Sequence, residues 1–169
     1  YKTQAILYDI KAREAAGYSY EVADGSLALL LQRHLGAYRP HFTLESFRVI
    51  VDDHEDTGAL AKDAMSEATI KIHVDDQRFV ATGEGAGPVG ALDNALRMAI
   101  TAFYPAVNEM ELVDFKVRIL DENVGTDAIT RVVITTRDSS ASWGTVGVSE
   151  NIIEASWNAL VDSIEYGLM

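Results

Sequence analysis

The sequence predicts an α+β protein: two βββα repeat units related by an approximate twofold, antiparallel sheets covered by helices, preceded by a helical linker. Three observations carry this. A segment near the middle of the chain recurs near its end at a constant offset. Apolar runs of strand period stand upstream of both copies, and charge and composition change near Pro40.

The repeat comes first. Phe79 to Ile100 aligns without gaps onto Trp143 to Ile164, 64 residues later, matching Gly83 with Gly147, Ala91 with Ala155, Asn94 with Asn158, Ala95 with Ala159 and Leu96 with Leu160. Each block opens as a strand (Arg78 to Thr82; Trp143 to Val148) and continues as a helix (Val89 to Ala102; Asn151 to Tyr166). Two further strand-like runs precede each block, Phe47 to Val51 and Ala68 to Val74 in the first copy, Phe115 to Leu120 and Thr130 to Thr136 in the second. Ile70, Ile72 and Val74 alternate with polar neighbours, the period of a half-buried strand. Short turns at Asp75–Gln77 and Asp138–Ala141 imply antiparallel hairpins, which leave one sheet face for a helix to cover. Repeat 1 then occupies about 45–104 and repeat 2 about 111–169, together a domain of 41–169.

Residues 1–40 differ in kind. They hold five Lys/Arg and four Asp/Glu, leaving nine against 22 in the remainder, so the repeats carry −13 and the first 40 residues +1 of the chain's net −12. Ile6, Ile10 and Lys11 to Ala16 read as a helix stopped by Gly17, and Ser26 to Leu35 as a second stopped by Gly36, with Asp24 or Ser26 as its cap. Leu27, Leu29, Leu30, Leu31 and Leu35 give the second helix an apolar load that needs a partner surface. Two partners stay open: the helix's own domain, or a part of a longer polypeptide that the start at Tyr1 suggests has been cut away.

Composition excludes several function classes. An acidic chain without a basic stripe is not expected to bind nucleic acid or an anionic membrane surface. The absence of cysteine excludes disulfides, iron–sulfur clusters and thiolate zinc sites, and suits a reducing compartment, so the cytoplasm is the expected location. No apolar run approaches the ~20 residues of a membrane span, and the first residues lack the order of a signal peptide.

His34, His41, His54 and His73 form no ligand pair, no serine stands in a nucleophile elbow, and no base cluster is apparent, so neither metal nor catalysis is expected of this chain. Asp52, Asp53, Glu55 and Asp56 before Gly58 lack the ligand ladder of an EF-hand and read as a solvated loop. Gly83-Glu84-Gly85-Ala86-Gly87-Pro88 runs from a strand into a helix. Its glycines allow close backbone approach, and the helix start offers unpaired N–H groups to an anion; equally, Gly85 and Gly87 can simply permit the turn. The second copy, Gly147-Val148-Ser149-Glu150-Asn151, keeps one glycine and adds capping side chains, so a single site rather than two equal ones is expected.

The stretches GEGAGPVGALDNAL from Gly83, VDFKVRIL from Val113 and WGTVGVSENIIEASWNALVDSIEY from Trp143 resemble the C-terminal regulatory domain of the 2-isopropylmalate synthase family, most closely its citramalate synthase branch. AGYSYEVADGSLALLL from Ala16 resembles the linker that follows the catalytic barrel in that family. The resemblance implies a non-catalytic domain that forms a homodimer and binds the end-product amino acid, isoleucine in the citramalate branch and leucine in the other, giving feedback inhibition. The attached N-terminal barrel would condense acetyl-CoA with pyruvate, using a divalent metal; no cofactor is expected in the regulatory domain. Two departures stand in the first motif, Ala86 and Gly90, where the family pattern has Asn and Asp. A purely structural dimerisation module without ligand is the competing reading.

A branched-chain amino acid needs an apolar cleft and a few polar groups. Leu92, Leu96, Ala99 and Phe103 share one face of the first repeat's helix and can line such a cleft, beside Gly83, Gly85 and Gly87. Asp114 is the candidate for the ammonium, and Thr145, next to Gly147, for a hydroxyl contact. Each has a bland alternative: the apolar stripe as core, Asp114 as a surface carboxylate.

Overall fold

The computed structural model describes residues 1–51, 65–120 and 128–169. The acidic stretch from Asp52 to Gly58 lies outside them. The chain divides into two compact units, one of residues 40–108 and one that joins 1–39 to 109–169. Each contains a three-stranded antiparallel sheet followed by a helix, as the repeat predicts.

In the unit of residues 40–108, β1 (Thr43–Val51), β2 (Ser66–Val74) and β3 (Gln77–Gly85) pair in chain order. The central strand alternates strictly: Ala68, Ile70, Ile72 and Val74 are buried and their neighbours half-exposed. Successive side chains leave a strand on opposite faces, so this alternation places one complete apolar row inward. The β2–β3 turn is tighter than expected, just Asp75 and Asp76, both with positive φ (48° and 66°) between the paired Val74 and Gln77. Two left-handed residues make the turn whose twist suits a two-residue hairpin, and aspartate tolerates that region better than most residues.

The helix α3 (Pro88–Ile100) follows after only Ala86 and Gly87, so most of the expected glycine loop is strand. A Cβ on Gly83 would overlap the backbone nitrogen of Ala95, and one on Gly85 would meet the nitrogen of Ala91. These glycines are where β3 and α3 touch backbone to backbone. Pro88 occupies the start of the helix, where its missing N–H costs no hydrogen bond. Asn94 Nδ2 donates to the Glu84 carbonyl at 2.7 Å, securing the helix to the strand beneath it.

In the other unit, β4 (Glu111–Leu120), β5 (Ile129–Arg137) and β6 (Ser142–Ser149) precede α4 (Ile152–Gly167). The repeat's geometry recurs: a Cβ on Gly147 would overlap the Ala155 carbonyl and crowd the nitrogen of Ala159, the residue matched to Ala95. Two side-chain bonds add to this seam. Trp143 Nε1 donates to the Ser163 carbonyl (3.0 Å), and Thr145 Oγ1 to that of Ala159 (2.8 Å). Asn151 caps α4, its Oδ1 accepting from the Ile153 and Glu154 amides.

The first two helices, α1 (Lys2–Ala15) and α2 (Asp24–His34), belong to this same unit. α2 starts at Asp24, with Ala23 at the cap position and no side-chain cap bond, so the expectation that Asp24 or Ser26 caps it is corrected. Both side chains face the edge strand β6 instead. Asp24 Oδ1 accepts from the Gly144 amide (2.8 Å), and Ser26 Oγ from the Val146 amide (2.9 Å). The free edge of a sheet presents unpaired amides, and here an adjacent helix satisfies two of them. Of the partners left open for α2, its own unit is the one observed: Leu29 and Leu30 are buried, whereas Leu35 is exposed. Tyr20, Ala23, Leu30 and Val146 form a cluster against which Ile10, Tyr18, Leu27, Val133 and Val148 pack, covering the face of the sheet away from α4. α1 itself fully buries no residue; besides the Ile10 contact, Asp9, which pairs with Arg13 of the same helix (3.0 Å), is hydrogen-bonded to His34 of α2 (2.7 Å).

Ser26 also donates to Asp162 Oδ2 of α4 at 2.8 Å, and Arg33 approaches the other oxygen at 3.7 Å. Burial pushes the Asp162 carboxyl up to about 6, the Ser26 hydroxyl and Arg33 opposing only part of the desolvation. A folded-state value above the unfolded one means the fold favours the protonated acid. The contribution is therefore full below about pH 4 and is lost as pH rises through 6, a difference of roughly 3 kcal/mol.

Three variants test these contacts. Asp162→Asn keeps an acceptor for Ser26 and removes the charge, so its urea-unfolding free energy at pH 7.5 should equal or exceed the parent's, with a flatter profile between pH 4 and 6; a variant less stable at pH 7.5 than at pH 5 contradicts this. Gly147→Ala should lose about 2 kcal/mol or more, since the Ala155 carbonyl cannot yield without moving α4. Gly87→Ala, with open space around it and an extended φ of −150°, should stay within about 1 kcal/mol of the parent in the same assay.

Candidate functional site

The ten residues singled out from the sequence are divided between the two units. Gly83, Gly85, Gly87, Leu92, Leu96, Ala99 and Phe103 belong to the unit of residues 40–108, whereas Asp114, Thr145 and Gly147 belong to the other. Within the second set, Asp114 pairs with Thr135 on β5 and Thr145 with Ile134, adjacent positions that face opposite sides of the sheet. Asp114 lies exposed beside a register shift in β4; its Oδ1 accepts from the Phe115 amide, and its Oδ2 is 3.6 Å from Lys116. Thr145 is fully buried, and its hydroxyl proton is already directed to the Ala159 carbonyl. Gly147 lies in the contact with α4.

The first set is contiguous. Leu92, Leu96 and Ala99 are buried along α3, and Phe103 extends the stripe to an edge-on contact with Phe79, ring centroids 4.8 Å apart. At the head of that stripe, α3 begins at an extended Gly87 with no side-chain cap bond and no acidic residue in its first turn. α4 differs at the matching point, where Asn151 occupies two amides and Glu154 adds a carboxylate to the first turn. The first amides of a helix have no partner within it and carry a partial positive charge. At α3 no side chain answers them, and a Cβ on Gly90 would come no closer than 3.9 Å to its nearest neighbour. The junction thus offers amides for a carboxylate next to a buried aliphatic stripe. The polarity difference between the two helix starts was legible in the sequence as Gly87 against Asn151.

Several titratable groups are otherwise engaged. Glu45 accepts from Arg78 (3.0 and 3.2 Å) and from His73 (3.1 Å), and these partners, Arg78 foremost, hold its carboxyl down at about 2. Burial raises Asp93, against the ion pair with Arg97 at 3.0 Å. Arg97 also donates to the Val107 carbonyl at 2.8 Å. His41 stands edge-on to Tyr104 at 5.2 Å. Among the described residues, no group of three His, Asp or Glu side chains is placed to hold a metal ion, and no helix is long and apolar enough to cross a membrane. Sequence reasoning missed Asp162, which a carboxylate beside the apolar face of α4 signals. It also missed a basic surface on β4 and β5, which the alternation Lys116, Arg118 signals.

Comparison with known proteins places this geometry. The chain is 48% identical over 161 residues to an (R)-citramalate synthase of Streptomyces coelicolor, covering 95% of this chain and 29% of that protein. It is 46% identical over 160 residues to the Aquifex aeolicus (R)-citramalate synthase, covering 95% and 30%. With that of Geobacter sulfurreducens it shares 48% over 167 residues, covering 98% and 31%. The chain thus spans about 30% of the length of the curated relatives it matches. Residues 21–168, which take in both βββα units, match the profile of the LeuA allosteric (dimerisation) domain, and the chain belongs to that family.

Proposed function

We propose that this chain is the regulatory part of a citramalate synthase-type acyltransferase: it dimerises and binds the end-product amino acid, isoleucine in preference to leucine, giving feedback inhibition. The observation that carries the ligand reading is the start of α3, where amides unanswered by any side chain adjoin the aliphatic stripe of Leu92, Leu96 and Ala99. A carboxylate suits those amides and a branched side chain suits the stripe. Gly90 and Ala86 supply no side-chain contact at the junction, so recognition there runs through backbone N–H groups. The family description, allosteric (dimerisation), supports the reading in general terms.

The attached catalytic domain, its divalent metal, its condensation of acetyl-CoA with pyruvate and its cytoplasmic location are part of the same proposal, drawn from the likeness to the citramalate synthases. Inhibition requires that isoleucine bind an inactive state of the enzyme better than an active one, and substrate must then weaken its binding by the same factor. Because leucine and isoleucine differ by the position of one methyl, the preference between them is worth only about 1–3 kcal/mol.

For dimerisation, the support is an apolar edge in each unit. Val117 and Ile119 on β4 pair with Val132 and Thr130 on the sheet face that carries α4, yet both are exposed. On β1, Val51 is exposed on the corresponding face. Outward apolar residues on an edge strand invite association. A module that only dimerises is the second reading, favoured by Gly83 and Gly85, whose glycine is explained by the contact with α3 alone.

Titration calorimetry of the chain should give heat with isoleucine and weaker heat with leucine, and a hundredfold excess over Kd should add about 2.7 kcal/mol to its stability. No heat with either amino acid leaves the dimerisation module as the function. Sedimentation should show a dimer for the parent and a folded monomer for Ile119→Glu; an unchanged dimer moves the interface elsewhere.

A further inference from the structure

The sheet face turned away from α4 carries a basic groove that the regulatory reading does not use. On β4, Lys116 and Arg118 alternate with Val117 and Ile119, and the register sets Lys116 opposite Val133 and Arg118 opposite Arg131. Lys116, Val117, Arg118, Arg131 and Val133 line an open groove of about 520 Å³. Beside it, the Tyr18–Ala23 segment lies on the same face, packing on Val133 and Val148.

Two features make this arrangement costly without a counterion. Like charges directly opposite each other across two strands destabilise the pairing, and Arg118 faces Arg131 in that relation. Among the described residues, the anions near the groove leave this charge unbalanced. Arg131 uses its Nε to reach the Gly17 carbonyl at 2.6 Å, a neutral acceptor, and Lys116 stands 3.6 Å from Asp114. Among the described residues, Arg118 has no hydrogen-bond or ion-pair partner. In a chain of net charge −12, three cations gathered on one groove stand against the general field, and a guanidinium pair presents donors in the fork geometry that oxyanions fill.

We propose that this groove binds a small polyvalent oxyanion, one bearing a phosphate or adjacent carboxylates, held by Arg118, Lys116 and the terminal nitrogens of Arg131, with Val133 against its apolar part. A monovalent amino acid is a poor fit, because its ammonium would sit among three cations. The site is separate from the start of α3 and does not depend on the effector reading. Since Arg131 also holds the Gly17 carbonyl, where the chain leaves α1 with φ +117°, the bound anion would lie next to the turn that joins α1 to the rest of the unit.

The test is calorimetry of the chain with inorganic pyrophosphate and, separately, citrate, at constant ionic strength set with sodium chloride, on the parent and on Arg118→Gln. Arg118 is exposed and unpartnered among the described residues, so the variant should fold, and without added anion it should unfold at the same urea concentration as the parent or higher. Binding of either probe to the parent, weakened threefold or more in Arg118→Gln, supports the site. The probe that binds tighter tells phosphate from carboxylate as its preferred ligand. No binding of either probe to the parent, or an affinity in Arg118→Gln within threefold of the parent's, overturns it. Isoleucine affinity, measured on the same variant, should be unchanged, which separates failure of this site from failure of the effector reading.

Discussion

The backbone contact between the third strand and the helix of each repeat is the constraint on which the rest of the structure depends. At Gly83 and Gly147 any side chain would occupy space already filled by the helix backbone at Ala95, or at Ala155 and Ala159. Glycine on the strand and alanine on the helix let the two elements approach until main chain meets main chain. That distance brings Asn94 within reach of the Glu84 carbonyl in one unit and Thr145 within reach of the Ala159 carbonyl in the other. It also determines which helix residues face the strand, and hence that Leu92 and Leu96 continue as a buried stripe beside them. The interior tolerates little change of volume at such a seam, because neither backbone can move without the whole element.

Starting from the same seam, the two units have been finished differently. The unit of residues 109–169 is closed by the N-terminal helices: Asp24 and Ser26 answer two amides on the edge of β6, and the Ser26 hydroxyl donates a hydrogen bond to Asp162 on α4. One serine thus links three elements, accepting from a strand and donating to a buried carboxylate. Its α4 also begins with a capped turn. The α3 of the other unit begins uncapped, and the side chains its first turn contributes, Val89 and Ala91, have no polar group. The repeat therefore has one helix start answered by side chains and one that is not.

Charge is distributed with the same asymmetry. Carboxylates exceed cations over the repeats as a whole, yet the outer face of β4 and β5 gathers Lys116, Arg118 and Arg131. An excess of one sign over the chain says what the surface repels on average, whereas a groove responds to the few charges within a Debye length.

Local pattern alone determined the element order. The 64-residue offset, the alternation of Ile70, Ile72 and Val74, and the Gly-to-Pro passage into α3 specified strand, strand, strand, helix twice over, because side-chain period and turn chemistry are local properties. The polarity of the two helix starts was legible for the same reason. What only the tertiary structure decided were contacts between residues far apart in the chain. Asp24 and Ser26 read as caps of their own helix, but serve a strand 120 residues away; the carboxylate and hydroxyl are equally suited to either amide, and proximity chooses. Asp114 and Thr145 read as partners for one ligand, yet the strand pleat puts them on opposite faces. Asp162 became a buried acid only when α2 covered it, since a carboxyl's proton affinity is a property of its surroundings and not of its place in the sequence.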